Sequence, residues 1–287
     1  MKMLLKMLLL VSLLPCGALV SASPICDGAC CALPQADTVA VPAVKMGRDI
    51  KTVVIVPRQY FDEQHSVDRF PVLYLLHGAS GSYRDWPKKA DLNTLSTRYG
   101  MIIVCPDGQD SWYFDSPIDP TFQFETFISH ELVDYVDAHY RTCDRKEMRA
   151  ITGLSMGGHG ALWNAFRHPD VFGSCGSMSG GVDISRFPGR WHIVARLGEY
   201  EGNEQVWKSH AVVNLVPTLQ PGQNIIIDDG KDDFFYEVNM ALHEALMQRG
   251  IDHDFTIRPG AHSWDYWLNS LEYHLLFFSK AFKHATH

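Results

Sequence analysis

No Cys-x-x-Cys pair and no His-Glu-x-x-His segment occurs in these 287 residues, so the commonest zinc frameworks have no template here. His130-Glu131 and His243-Glu244 each begin the second pattern and neither completes it. Positive charge is also short: 25 Lys and Arg against 33 Asp and Glu leave a net charge of −8. An acidic surface repels phosphate backbones, which argues against nucleic acid as a partner, and it gives no attraction to an anionic membrane. Internal repeats, low-complexity tracts and an interdomain linker are absent too. One large domain with a sizeable core is therefore expected. A hydrophobic share of 46% and a charged share of 20% belong to a globular chain, not a disordered one.

An apolar run does stand at the N-terminus. Lys2 and Lys6 flank its start, Pro15 and Gly17 interrupt the stretch from Leu8 to Val20, and Val20-Ser21-Ala22 offers the small residues a signal peptidase reads. The run is too short and broken for a membrane span. Leu13-Leu14-Pro15-Cys16 is a poor lipoprotein site, because proline precedes the cysteine. The expected organisation is a signal peptide over 1–22, an N-terminal leader over 23–48 and one folded domain over 49–287, exported to the periplasm or the medium. Export permits disulfides. Cys26, Cys30 and Cys31 cluster in the leader and could pair with each other or with the body. Cys105, Cys143 and Cys175 lie in apolar or strand-like contexts, where a free thiol is the ordinary reading. Spacing leaves the pairing of these six open.

Beyond the leader, strand-like and helix-like stretches alternate, which predicts an α/β fold with helices on both faces of a mostly parallel sheet. Strands are expected at Thr52 to Val56, Pro71 to Leu76, Met101 to Cys105, Ala150 to Leu154, Phe172 to Met178, Asn224 to Ile227 and Phe255 to Ile257. The clearest helix runs from Phe124 to Tyr140, where Phe124, Phe127, Ile128, Leu132, Tyr135, Val136 and His139 share one face. Met156 to Phe166, Phe234 to Gln248 and Trp264 to Phe282 follow the same period, and Gly250 stands where the third of these four should cap. Asp107 to Phe122 and Gly181 to Pro221 are long and irregular, as the walls of a substrate cleft often are.

Gly153-Leu154-Ser155-Met156-Gly157 is a G-x-S-x-G motif set between a short apolar strand and a helix-like run. That context is what a nucleophile elbow requires: a sharp turn lifts the serine oxygen above the sheet and crowds the backbone on either side. Ser155 then stands at a helix N-terminus, where backbone N–H groups point toward it. The N–H of Met156 is one expected oxyanion donor. His77-Gly78-Ala79-Ser80-Gly81 follows an earlier strand, and the N–H of Ala79 is the expected second donor, with His77 bracing the loop.

The acid should follow a late strand and the base the strand after it. Asp228, Asp229, Asp232 and Asp233 all stand at or after the strand beginning at Asn224, and spacing does not choose among them. His262 is the only histidine in the exit loop after Phe255 to Ile257. A serine, an acid and a histidine in this chain order point to acyl transfer with no cofactor and no metal. Trp112, Tyr113 and Phe114 offer rings that would stack on a substrate's sugar or aromatic group.

His77-Gly78, Gly153-Leu154-Ser155-Met156-Gly157-Gly158, Gly230-Lys231-Asp232-Asp233 and Gly260-Ala261-His262 resemble the esterase D-like group of α/β-hydrolases, over about Val53 to Phe282. That group holds S-formylglutathione hydrolases, feruloyl and acetyl-xylan esterases, tributyrin esterases and mycolyltransferases. Trp112-Tyr113-Phe114-Asp115-Ser116-Pro117 and His168-Pro169-Asp170 look like signatures of its tributyrin-esterase and carbohydrate-esterase branch. The resemblance implies an α/β-hydrolase fold and Asp233 as the acid. It further implies a serine esterase acting on a small-molecule or oligosaccharide ester, feruloyl, acetyl or short-chain, with an acyltransferase or a thioesterase as the alternatives. Ala79-Ser80-Gly81-Ser82 stands where the S-formylglutathione hydrolases carry a cysteine, which sets the glutathione thioester apart.

Overall fold

The computed structural model describes residues 35–285; the expected signal peptide, its cleavage point and Cys26, Cys30 and Cys31 lie outside them. Among the described residues eight strands form one sheet: β1 Ala36–Ala43, β2 Arg48–Ile55, β3 Val72–Leu76, β4 Ile102–Pro106, β5 Arg149–Gly153, β6 Ser174–Met178, β7 Asn224–Gly230 and β8 Asp254–Arg258. Their spatial order is β1-β2-β4-β3-β5-β6-β7-β8. β1 and β2 pair antiparallel, β2 runs antiparallel to β4, and every pairing from β4 to β8 is parallel.

The central strands read as unbroken apolar runs because both faces are covered. Val72, Leu73, Tyr74, Leu75 and Leu76 of β3 are all fully buried. Alternation along that strand feeds two cores. Tyr74 and Leu76 join Val104, Ile151, Trp163 and Phe172 on one face. Leu73 and Leu75 join Ile103, Ala150, Leu271 and Phe278 on the other. Burying a side chain of this size stabilises the fold by roughly 1.5–3 kcal/mol.

The helices that cover the sheet show ordinary end chemistry. Asp91 accepts the Thr94 N–H at the start of Leu92–Tyr99, and Gly100 closes that helix in left-handed geometry, φ 64°. Ser263 caps the C-terminal helix, Trp264–His284, by accepting the Tyr266 N–H. The helix expected from Phe124 to Tyr140 is one rod in three parts, with a π turn at Phe127–Glu131 between Phe124–Thr126 and Leu132–His139.

One boundary moves. The domain expected to begin at 49 begins earlier, because β1 lies in the stretch assigned to the leader and pairs along its whole length with β2, Ala36 opposite Ile55 through Ala43 opposite Arg48. Its residues are mostly exposed and it carries Pro42, so it lacks the apolar run that marks an interior strand. Cys105 and Cys175 are buried free thiols and Cys143 is a half-buried one.

Candidate active site

Parallel strands put all their C-terminal ends on one edge, and the loops that leave that edge carry the site. The turn after β3 brings Gly78 and Ala79, the turn after β5 brings Ser155, the turn after β7 brings Asp233, and the turn after β8 brings His262.

Ser155 sits at φ 56°, ψ −117°, a backbone conformation that costs an L residue about 1–3 kcal/mol. Neighbours hold it there. Its N–H donates to Met178 O at 2.9 Å, and its carbonyl accepts from His159 and Gly181. The turn tolerates no extra carbon at Gly157, where a Cβ would stand 2.6 Å from Leu76 O and 2.7 Å from His77 O. The sharp elbow therefore requires glycine there for lack of space.

His262 Nε2 lies 2.9 Å from Ser155 Oγ, and its Nδ1 lies 2.8 Å and 3.1 Å from the two carboxylate oxygens of Asp233. Asp233 is buried and also accepts the Phe235 N–H at 2.9 Å. A carboxylate at Nδ1 keeps the N–H on that nitrogen, which leaves the Nε2 lone pair facing the hydroxyl. The turns that carry Asp233 and His262 are joined directly: Asp232 N–H donates to Gly260 O at 2.8 Å, and a Cβ on Gly230 would lie 2.5 Å from that same oxygen.

The other three aspartates go elsewhere. Asp232 is exposed on the turn. Asp228 and Asp229 are successive residues of β7 and so face opposite sides of the sheet. Asp228 pairs with Arg258 Nη1 at 2.8 Å, with His274 Nε2 3.4 Å away. Asp229 takes the Asn239 amide and the Gly230 N–H and stands close enough to Asp233 to feel its charge. Burial first, and then that charge, push the Asp229 carboxyl up to about 8.

The loop from His77 to Gly81, where the second oxyanion donor is expected, is held by its own peptides. Gly108 N–H donates to His77 Nε2 at 2.8 Å, which places the ring proton on Nδ1, and Nδ1–H donates to Gly78 O at 2.7 Å. Gly81 N–H reaches the same carbonyl at 3.1 Å. Carbonyl and N–H of a trans peptide point opposite ways, so tying down Gly78 O orients the Ala79 N–H. Neither Ala79 N–H nor Met156 N–H has an acceptor among the described residues. Both are free for an incoming oxygen.

Trp112, Tyr113 and Phe114, expected in the cleft, are not in it. All three are buried. The Tyr113 hydroxyl bonds both the N–H and the carbonyl of His77 at 3.1 Å, so this ring supports the oxyanion loop from behind. Phe114 packs against His159, Trp163 and His210. Trp112 and Tyr113 both adopt positive φ, 57° and 60°, which turns their rings into the body of the fold.

Other rings form the cleft, a cavity of about 610 Å³ around Ser155 and His262. Trp191 and Phe234 line it, stacked with centroids 5.6 Å apart and planes 19° apart. The Phe234 ring is 4.2 Å from the His262 ring. Trp264 and Trp267 line it too, with Trp267 edge-on to His262 at 4.8 Å. The one carboxylate in the described lining, Asp85, is engaged by the N–H and hydroxyl of Ser82. Trp264, Trp267 and Phe234 were detectable, since they flank His262 and Asp233 in sequence. Trp191 carries no local signal.

The chain is similar to known esterases. The Esterase family model matches residues 43–278. An acetyl esterase of Caldicellulosiruptor saccharolyticus is 28% identical over 224 residues, covering 74% of this chain and 84% of that protein. A ferulic acid esterase structure superposes with a TM-score of 0.74 at 28% identity, covering 86% of this chain and 97% of that one. An S-formylglutathione hydrolase from Agrobacterium tumefaciens shares the fold, with a TM-score of 0.73 at 22% identity, over 86% of this chain and 95% of that one.

Proposed function

Because this chain belongs to the Esterase family and is a carboxylic ester hydrolase, we propose that it cleaves its ester through an acyl-enzyme on Ser155, with His262 as base and acid and Asp233 holding the imidazole. The observation that carries this reading is the 2.9 Å approach of His262 Nε2 to Ser155 Oγ. Ser155 Oγ bonds to the ester carbonyl carbon as its proton passes to Nε2, and the oxyanion rests on the N–H groups of Ala79 and Met156. The carbonyl reforms, the bond to the alcohol breaks, and Nε2–H protonates the departing oxygen. Water then attacks the acyl-enzyme with its proton going to Nε2, the bond to Oγ breaks, and Ser155 recovers the proton. No cofactor enters the cycle.

The alcohol must leave on the side of His262, since that ring protonates it. Phe234 lies against that ring with Trp191 stacked behind it, and Trp267 stands edge-on to it, so the departing alcohol meets aromatic surface, which suits a sugar. The substrate proposed is thus an acylated saccharide, acetyl or feruloyl, with short-chain esters turned over as smaller versions of it. The names of the two 28% identical relatives, acetyl esterase and ferulic acid esterase, support the same class. Export after cleavage behind Ala22 fits a polymeric substrate outside the cell. N-terminal sequencing of the mature protein tests that point.

The decisive assay pairs p-nitrophenyl acetate with acetylated and feruloylated xylo-oligosaccharides. Turnover of all three, lost in Ser155→Ala, is the expected result. Retained turnover in that variant ends the mechanism, and turnover of the simple ester alone removes the saccharide.

A further inference from the structure

Asp110 belongs to neither the reacting groups nor the cleft lining, yet it holds two loops that do. It lies on the loop after β4, partly buried. Its Oδ1 accepts the Ser80 N–H at 2.6 Å. Its Oδ2 stands 2.9 Å from His192 Nδ1. Ser80 follows Ala79, whose N–H faces the oxyanion in the proposed cycle, and His192 follows Trp191, which lines the cleft.

Both attachment points are in left-handed backbone, Ser80 at φ 59°, Trp191 at 47° and His192 at 57°. No glycine stands at any of the three. Side chains disfavour this conformation, and it persists only where surrounding contacts over-determine it. One carboxylate supplies such a contact to each segment. A second tie, from Trp112 Nε1–H to Trp191 O at 3.1 Å, fixes the wall from the buried side and leaves the oxyanion loop untouched.

We propose that Asp110 is a positioning residue that sets the oxyanion peptide and the Trp191 wall with one carboxylate, and so makes turnover and preference for a ring-bearing alcohol depend on the same side chain. This rests on the assignment of Ala79 as an oxyanion donor. A carboxamide separates the two arms. Asp110→Asn keeps an oxygen for the Ser80 N–H and puts an uncharged amide N–H in place of the carboxylate oxygen at His192 Nδ1, whereas Asp110→Ala removes both contacts.

The test uses ethyl acetate and 1-naphthyl acetate, which give the same acetyl-enzyme and differ only in the alcohol. Asp110→Ala should lower kcat on both about 10- to 100-fold, the scale of a weakened oxyanion donor. Asp110→Asn should keep kcat on ethyl acetate within about threefold and raise KM for 1-naphthyl acetate several-fold. The double variant Asp110→Asn with His192→Ala should lose no more selectivity than His192→Ala alone, because both changes act on one contact. Equal behaviour of Asp110→Ala and Asp110→Asn, or selectivity losses that add in the double variant, overturns the proposal. Unfolding midpoints and fluorophosphonate labelling of Ser155 establish that each variant is folded. The same assay on Ser155→Ala reports separately on the catalytic reading, since retained activity there sinks the serine mechanism while leaving the Asp110 contacts in place.

Discussion

The indole N–H of Trp112 donates to the carbonyl oxygen of Trp191 across 3.1 Å, joining a fully buried ring to a ring that lines the cleft. Trp191 lines the cleft and Trp112 stands behind it. Trp112→Phe removes the donor while keeping most of the buried area, so a loss of about 1–2 kcal/mol in denaturant unfolding is expected from the orphaned carbonyl and the small void. KM for a ring-bearing ester should rise with it. A variant with unchanged stability and unchanged KM would show that the bond does nothing for the wall.

Asp233 and Asp232 are neighbours in sequence, one buried against the imidazole and the other exposed. Asp233→Asn should lower kcat by about 10⁴-fold, since the amide holds the imidazole in the wrong tautomer and no longer balances its charge. Asp232→Asn should leave kcat within about twofold. Steady-state kinetics on p-nitrophenyl acetate decides, and comparable losses in the two variants would refute the assignment.

At Gly157 the added methyl of alanine would meet backbone oxygens at 2.6 Å and 2.7 Å, which cannot swing aside as a side chain would. Gly157→Ala should cost about 3 kcal/mol and displace the elbow. Chemical denaturation measures the first effect and loss of fluorophosphonate labelling the second. Wild-type stability in this variant would mean the turn has slack that the distances deny.

Asp229 titrates near 8 in the folded chain against an ordinary 3.8, through burial and the adjacent Asp233. Unfolded chains release this proton near 3.8 and the folded one keeps it to about 8, so the folded state binds the extra proton in between. Stability from this group is therefore fullest below pH 4 and declines as pH rises toward 8. Asp229→Asn removes the ionisation and keeps an oxygen for the Gly230 N–H. Its advantage in melting temperature over the parent should be larger at pH 8 than at pH 5. An equal advantage at both values would place the effect outside titration.

Much of the site can be read along the chain because its parts are local. The elbow needs five consecutive residues, Gly153 to Gly157, and its crowding is built into them. His262 stands alone in its loop. The partner of His262 was harder: spacing leaves four aspartates in six residues alike, the resemblance implies Asp233, and strand alternation with the turn after Gly230 sets that residue against the imidazole. The parts that could not be read depend on distant segments. Trp112 meets Trp191 across 79 residues, and the Tyr113 hydroxyl meets His77 across 36. A ring's position in a loop sequence does not say whether it faces solvent or core. β1 escaped notice for a related reason, since an exposed edge strand has little apolar pattern of its own.

The contact between the Asp232 N–H and Gly260 O welds Asp233 and His262 to neighbouring strands, β7 and β8, as one block. Ser155 belongs to another, locked to the end of β6 through Met178. The seam between the two blocks is the ladder from Ser174 opposite Asn224 to Met178 opposite Asp228. Slippage along that seam would part imidazole from hydroxyl and leave imidazole and carboxylate together. Warming short of the melting point should thus silence the chemistry at one joint while the rest of the relay stays assembled.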